Sequence, residues 1–495
     1  MEGTIYRFVL ACLVLTTVLA CGGGGTLLPA PPTPPAPVPP TLTSFGADPA
    51  TIAFGTSSNL TGVFSGGTGV ITPGNLAAAS GAAVSVSPIA TTTYTLTVTS
   101  PQGAVTTAQA TVTLTGVPAS GSLDPTFGTL GDLPAAMVLQ ADGRVLVGGS
   151  SHVTGGALFA LARYAADGSP DPSFGSSGEV TTAIGTTDAI QALALQADGR
   201  IVAAGSTSGG IVQQVALARY NTDGSLDTTF GTGGKVTTAI NSADASATAV
   251  AIQPDGRILV AGNALPFFFL ARYQANGSLD PAFGSVGIVT GQTVSFARAL
   301  ALQGDGRIIV AEGASTFALA RYSATGVPDG TFGSGGFVTT PIGPSDDVIS
   351  ALCIQPNGQI VAAGMTTDTS GDTLFALARY GTDGSLDAGF GTSGIVTLAI
   401  TGADAADGVA VRSDGRIVAA GATALDALTG IGLVRFEPDG KLDAGFGTRG
   451  IVTTGAGPDP IAPVAMALQA DGRIVVAAQE TTGGQDQFAV LCYLP

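Results

Sequence analysis

At 495 residues the chain is longer than one hydrophobic core usually serves, and with 45% hydrophobic residues it can fill more than one. Only 11% of residues are charged while 73 are Gly, which argues against salt-bridged helices and for many short strands joined by tight turns. The formal net charge is -17 and most of the 18 basic residues fall in repeated slots, so little basic surface remains to neutralise phosphates and nucleic acid is excluded as an expected partner.

The chain opens with an apolar run, Phe8 to Ala20, preceded by Arg7. A membrane-spanning helix needs roughly 17 to 25 apolar residues, so this run is too short to span but suits the core of an export signal. It closes on Val18-Leu19-Ala20-Cys21, which resembles the lipobox of bacterial lipoproteins. That resemblance implies cleavage after Ala20 (residues 1–20 being the signal peptide) and acylation of the Cys21 thiol, which becomes the membrane anchor. Each buried methylene of an attached acyl chain contributes about 0.8 kcal/mol, so several chains hold a protein far more firmly than one. Gly22 follows where retention in the inner membrane usually shows Asp, so the resemblance implies an exported protein anchored in the outer membrane of a Gram-negative envelope. Ordinary signal cleavage, leaving Cys21 unmodified, is the alternative.

Residues 21–40 read as a tether, a Gly hinge followed by a proline tract. Fixed φ and missing amide hydrogens favour a polyproline II rod, which at about 3.1 Å per residue carries Pro29 to Pro40 over roughly 35 to 40 Å. From 41 to 116 the composition turns to Thr, Ser, Val and Gly, and Ala83-Val84-Ser85-Val86 and Tyr94-Thr95-Leu96-Thr97-Val98 alternate apolar with polar residues. Such alternation predicts strands with one buried face. The segments SFGADPATIAFGTSSNLTGVF and SVSPIATTTYTLTVTSPQGAVT resemble bacterial Ig-like domains, implying a small β-sandwich that acts as a stalk or adhesive module.

From 121 to 495 one phrase recurs. Phe-Gly appears at Phe127, Phe174, Phe230, Phe283, Phe332, Phe390 and Phe446, at roughly fifty-residue intervals, the period of a stacked or radial repeat. Each is followed by ALALQ or a variant, a turn at Asp142, Asp198, Asp255, Asp305, Asn357, Asp414 or Asp471, a run such as Arg200-Ile201-Val202-Ala203-Ala204-Gly205, and LARY or a variant. Asp-Gly between two apolar runs predicts a two-residue hairpin with positive φ at both central positions. LARY supplies a third strand and GKVTT a fourth, and four strands per unit predict a propeller blade. The motifs resemble the delta-60 repeat family of bacterial β-propellers. The fold class expected is therefore all-β, a seven-bladed β-propeller behind a small Ig-like sandwich. Because the domain opens on a Phe-Gly strand and closes on a LARY strand, ring closure is predicted to combine both chain ends in the seventh blade, with Pro134 on its outermost strand.

Candidate chemistry is sparse. Arg163, Arg219, Arg272, Arg321, Arg379 and Arg435 occupy the LARY slot, and Arg144, Arg200, Arg257, Arg307, Arg416 and Arg473 follow the turn. A residue present in nearly every blade reads as a brace between blades rather than a catalyst. His152 is the only His, in a Gly-rich stretch read as a loop, and neither a His metal cluster nor a Ser-His-Asp triad is written in the chain. Cys12 lies in the leader, and Cys353 and Cys492 stand singly, read as thiols against a bridge between them. The Asp-rich turns invite calcium but lack the closing bidentate Glu of an EF-hand loop, so no metal ligand is assigned. Departures from the repeat are the places to look for asymmetry: Glu312 for Gly, Arg412 for Gln, and Gln359 for Arg. No catalytic residue and no cofactor are assigned. The expected function is a non-enzymatic, lipid-anchored binding or scaffolding surface for a protein or glycan. A carbohydrate-active hydrolase or lyase using carboxylates at the pore is the alternative, and a purely structural protein with a pore of Ala, Ser and Gly is the third.

Overall fold

The computed structural model describes residues 38–53, 57–86, 88, 91–115, 129–131, 133–291, 295–313, 315–425, 428–455, 460–482 and 485–495. The leader, Cys21, nearly all of the tether and Phe127 lie outside the described residues. The chain divides into two compact units between Thr115 and Gly116.

In the first unit, Thr41–Asp48, Ser58–Ser65 and Ala83–Val86 form one sheet. Thr51–Ala53, Val105–Thr115, Thr92–Thr99, Thr68–Thr72 and Leu76–Ala78 form the other. The period-two pattern decides which side chains go inside. Leu60, Phe64 and Val86 of the first sheet share a core with Ile52, Ile71, Tyr94, Leu96, Val98 and Val112 of the second, so the unit is a β-sandwich.

The second unit is a seven-bladed propeller. Blade 2 shows the plan: Thr187–Leu195 innermost, then Ile201–Ser208, Gln214–Tyr220 and outermost Lys235–Thr238, each antiparallel to the next. The innermost strands of the other blades are Leu133–Leu139, Ala245–Ile252, Ala297–Leu302, Ser345–Ile354, Ala405–Val411 and Ile461–Leu468. The second and third strands are buried on both faces, which is why IVAAG and VALARY read as nearly continuous apolar runs. Each core lies between blades rather than within one. Seven clusters, one per blade boundary, close the ring, and the last joins Val145, Val147 and Tyr164 of blade 1 to Val475, Phe488 and Val490 of blade 7.

Closure follows the expectation. Blade 7 takes three strands from the C-terminus and its fourth, Thr129–Gly131, from the start of the domain. Pro134 does not lie on that outermost strand. It is the second residue of the innermost strand of blade 1, next to a register shift, where the pore edge has no ladder partner to miss its amide hydrogen. The hairpin turns also differ from expectation. Gly143 has φ 86°, Asp142 does not share the left-handed region, and Gly143 N–H donates to the Gln140 carbonyl, so the loop has three residues between Gln140 and Arg144. Asp142 serves instead by accepting the Arg144 amide at 3.1 Å, which is the ordinary Asx role. His152 is on a strand, exposed and opposite Ala157 in the register of the blade 1 hairpin. Cys353 and Cys492 sit in different blades and form no disulfide.

Adjacent blades are latched by hydroxyl pairs. Tyr220, Tyr273, Tyr380 and Tyr493 each donate to a Thr at the end of the preceding blade's outer strand, namely Thr182, Thr238, Thr340 and Thr454, at 2.9 to 3.0 Å. Buried hydroxyls need such partners, and these four tyrosines find one across the boundary.

Candidate functional site: the ring of bulges at the pore

Each innermost strand carries an extra residue at the same point of its register with the second strand, and that of blade 5 has a second shift nearer its start, between Ser345 and Val348. The inserted residues are Ala135, Gln191, Thr248, Arg298, Ser350, Asp407 and Val464, one per blade. A bulge leaves its residue outside the ladder and re-aims its side chain. All seven line one central cavity of about 700 Å³, together with Pro134, Asn263, Phe296, Ala297 and Pro463. The bulge also dictates the glycine opposite. A Cβ on Gly205 would come within 1.9 Å of the Ala189 carbonyl oxygen, so the IVAAG phrase ends in Gly because the bulged strand presses against it.

The ring is chemically uneven. Arg298 is exposed in the cavity and makes no salt bridge to any described residue. Its backbone is fixed from blade 3: Asn263 Oδ1 accepts the Ala297 amide at 2.9 Å, and Thr248 Oγ1 donates to the Ala297 carbonyl at 3.0 Å. Asp407 is half-buried, and burial pushes its carboxyl up to about 6 despite an amide from Ala422 at 3.2 Å. The buried carboxylates at the start of three inner strands, including that of Asp407 itself, are consumed locally. Asp188, Asp347 and Asp404 each accept backbone amides of their own loop and a hydroxyl from Thr207, Thr366 or Thr423. Asp407 is thus the carboxylate that faces the cavity among the described residues.

The arginines of the repeat are not there. Arg163 pairs with Asp171 at 2.8 Å, lies 4.5 Å above the Phe174 ring, and donates to the Thr222 carbonyl in the next blade. The same three contacts recur for Arg219, Arg272, Arg321 and Arg379, each on the next blade's carbonyl. Arg144 binds both its turn Asp142 and Asp171. Phe-Gly belongs to this joint: Gly175 N–H donates to Asp223 of the following blade at 2.8 Å. The brace between blades agrees with the geometry for these LARY arginines, whereas Arg144, Arg200, Arg257, Arg307 and Arg416 pair with carboxylates of their own blade.

Two of the three departures turn out to be equivalents. Arg412 Nη1 donates to the Gly472 carbonyl at 3.1 Å, as Gln469 donates to that of Gly143 at 3.4 Å, so both tie a blade to its neighbour's turn. Gln359 donates to Asp387 at 2.6 Å, replacing the Arg contact without its charge. Glu312 is buried and accepts from Ser295 Oγ at 3.0 Å, and burial raises its carboxyl, but it does not line the cavity. Among the described residues no group of His, Cys, Asp and Glu has a metal-binding arrangement.

Sequence reasoning missed the ring itself. Its signal is the residue immediately before ALALQ or its variants, which runs Ala135, Gln191, Thr248, Arg298, Ser350, Asp407 and Val464 while the letter after it is Ala in every blade but one.

A family model described as "Domain of unknown function (DUF5122) beta-propeller" matches seven segments, residues 140–174, 196–230, 253–283, 303–332, 355–390, 412–446 and 469–495. No curated protein matches the chain by sequence. Among solved structures the chain is similar to streptogramin B lyase, with 13% identity, a TM-score of 0.44, and coverage of 76% of this chain and 98% of that one. It is also similar to Sqt1 of Chaetomium thermophilum, with 14% identity, a TM-score of 0.40, and coverage of 75% and 97%. A polysaccharide lyase described as an ulvan lyase gives 12% identity, a TM-score of 0.42, and coverage of 75% and 96%.

Proposed function

We propose that this chain, which belongs to the DUF5122 beta-propeller family, is a lipid-anchored envelope protein whose propeller is a binding module with its ligand seated in the central cavity. One observation carries the reading: each blade contributes one bulged, variable residue to the same cavity. Invariant slots hold blades together, whereas the variable slot converges where a ligand can touch every blade. The third reading, a purely structural protein, called for a pore of Ala, Ser and Gly, and a cavity set with Arg298, Asp407, Gln191 and Asn263 speaks for binding instead.

The competing reading is a carbohydrate-active hydrolase or lyase. It draws on Asp407, whose carboxyl near 6 is suited to exchanging protons at neutral pH. Paired carboxylates are the usual requirement for glycoside hydrolysis, and the cavity lining contains Asp407 as its one carboxylate among the described residues.

A glycan array and a peptide array probed with the purified protein test the binding reading, with Gln191→Ala and Asp407→Asn as pore variants. A ligand whose signal drops in both variants supports it; turnover of any bound saccharide transfers the assignment to the enzyme reading. Membrane anchoring rests on Cys21 and is tested by Cys21→Ser, which is expected to move the protein out of the membrane fraction. Retention there would overturn the anchor.

A further inference from the structure

We infer that the cavity selects an acidic oligosaccharide, with a carboxylate or sulfate group of the ligand on Arg298 and sugar hydroxyls on Asp407, Gln191 and Ser350. This rests on the proposed binding role of the pore and names its ligand class.

The argument begins with charge accounting. In a chain of formal net charge -17, the arginines of the repeat are committed to carboxylates inside the joints between blades. Arg298 departs from that rule, standing in a slot that elsewhere holds Ala, Gln, Thr, Ser, Asp or Val, exposed and without an intramolecular counter-ion among the described residues. An unpaired guanidinium offers five donors in a planar fork that matches a carboxylate or sulfate. The backbone from which it projects is set in advance, because Asn263 and Thr248 hold the Ala297 peptide from the neighbouring blade. Fixing the backbone beside the cation lowers the ordering cost of binding.

The rest of the wall chooses between kinds of anion. Asp407 has one oxygen on the Ala422 amide and keeps acceptor capacity toward the cavity, where a ligand hydroxyl can donate to it. Gln191 is exposed and Ser350 half-buried, and both line the same space. Acceptors and neutral polar groups surrounding one cation suit a ligand with many hydroxyls and few negative charges. A cavity of about 700 Å³ has room for more than a single small acid. A zwitterionic peptide, with its carboxylate on Arg298 and its ammonium on Asp407, is the other chemistry the pair could serve; it leaves Gln191 and Ser350 unused.

The test titrates the purified full chain, by calorimetry, with four probes: trigalacturonate, a sulfated galactan trisaccharide, maltotriose and trialanine. The expected result is that one acidic trisaccharide binds at least about tenfold more tightly than maltotriose, and that Arg298→Gln removes that preference. Arg449→Gln, on an exposed arginine away from the cavity lining, should leave it intact. Equal binding of maltotriose, preference for trialanine, or a preference that survives Arg298→Gln overturns the ligand class while leaving the pore as the binding site. No binding by any probe, or binding indifferent to Arg298→Gln, Gln191→Ala and Asp407→Asn alike, overturns both. A melting temperature for Arg298→Gln equal to that of the parent is expected, since the side chain holds no salt bridge to lose.

Discussion

Phe488 and Leu130, which stand near opposite ends of the propeller sequence, are register partners in one sheet. The ring is closed by this three-residue ladder, Thr129–Gly131 against Gln487 to Ala489, and by the apolar boundary between blades 7 and 1. Deleting Thr129–Gly131 leaves that boundary core in place but strips the outer edge of blade 7. With a few ladder hydrogen bonds at about 1 kcal/mol each, the expected loss is about 2–4 kcal/mol, read as a lower urea midpoint. Deleting Gln485–Tyr493 removes Phe488, Val490 and Tyr493 as well and is expected to abolish cooperative unfolding. A truncation at either end that unfolds like the parent would contradict the closure.

The joint between blades 1 and 2 should fail in acid. Burial alone would raise the Asp171 carboxyl, but hydrogen bonds from the Ser173 side chain and amide, with the charges of Arg163 and Arg144, outweigh it and lower the group to about 2. A carboxyl depressed on folding contributes stability above its unfolded value, near 3.8, and loses it as pH falls through its folded value. Between pH 4 and pH 2 the contribution of this one group, about 1–2 kcal/mol, should disappear. Asp171→Asn is expected to lower stability at pH 7 by about 3–5 kcal/mol, because Arg163 is then buried without its partner. The same variant should show a flatter stability profile below pH 4, which chemical denaturation at each pH would reveal.

What could be read beforehand depended on whether a feature repeats in letters or only in register. The blades, their number and their closure were legible because Asp-Gly, LARY and Phe-Gly are local chemistry written seven or nearly seven times. The braces were legible for the same reason: Arg163 and Asp171 recur at a fixed separation. The pore was not, because a bulge is a relation between two strands, and nothing in Ile190-Gln191-Ala192 alone says that Gln191 has slipped out of the ladder. Pro134 was misplaced through the same gap, since its tolerance was assigned to a blade's outer edge when the pore edge offers it too. Glu312, Arg412 and Gln359 drew attention by breaking a constant letter, yet Arg412 and Gln359 conserve a contact. The letter that varies from blade to blade is the one that reaches the cavity.

Of the boundaries without the hydroxyl pair, one lends itself to a test by exchange. At the blade 5 and 6 boundary the tyrosine slot holds Phe436 and the threonine slot holds Leu398, and both pack in the boundary core. An apolar pair replaces a hydroxyl pair, so no buried polar atom is stranded. Phe436→Tyr alone should cost about 1–3 kcal/mol by burying a hydroxyl opposite Leu398. Leu398→Thr alone should also destabilise, by loss of apolar volume. Together they should recover part of the loss by recreating the pair seen at Tyr380 and Thr340, giving a favourable coupling in a double-mutant cycle. Additive losses would show that the two positions do not face each other.

Asp407 should make the propeller less stable as the solution becomes more alkaline, the reverse of Asp171. Its carboxyl is raised by burial from 3.8 to about 6, so the neutral form is favoured in the folded state. Below the unfolded value the group is protonated in both states and no difference appears. As pH rises through about 6, ionising it inside the folded ring becomes costly relative to the unfolded chain, and that contribution to stability is lost. Water in the open cavity screens part of the penalty, leaving about 1–2 kcal/mol at pH 7.5. Asp407→Asn removes the charge and keeps an acceptor for the Ala422 amide. The variant should therefore melt higher than the parent at pH 7.5 and level with it at pH 4. Equal melting at both values would mean that the carboxyl is solvated in the cavity, and a variant less stable at pH 7.5 would mean that the ionised form is held by a partner the ring supplies. Such a site, in which a carboxylate pays for its position in the absence of ligand, is the kind that gains most when ligand hydroxyls arrive to donate to it.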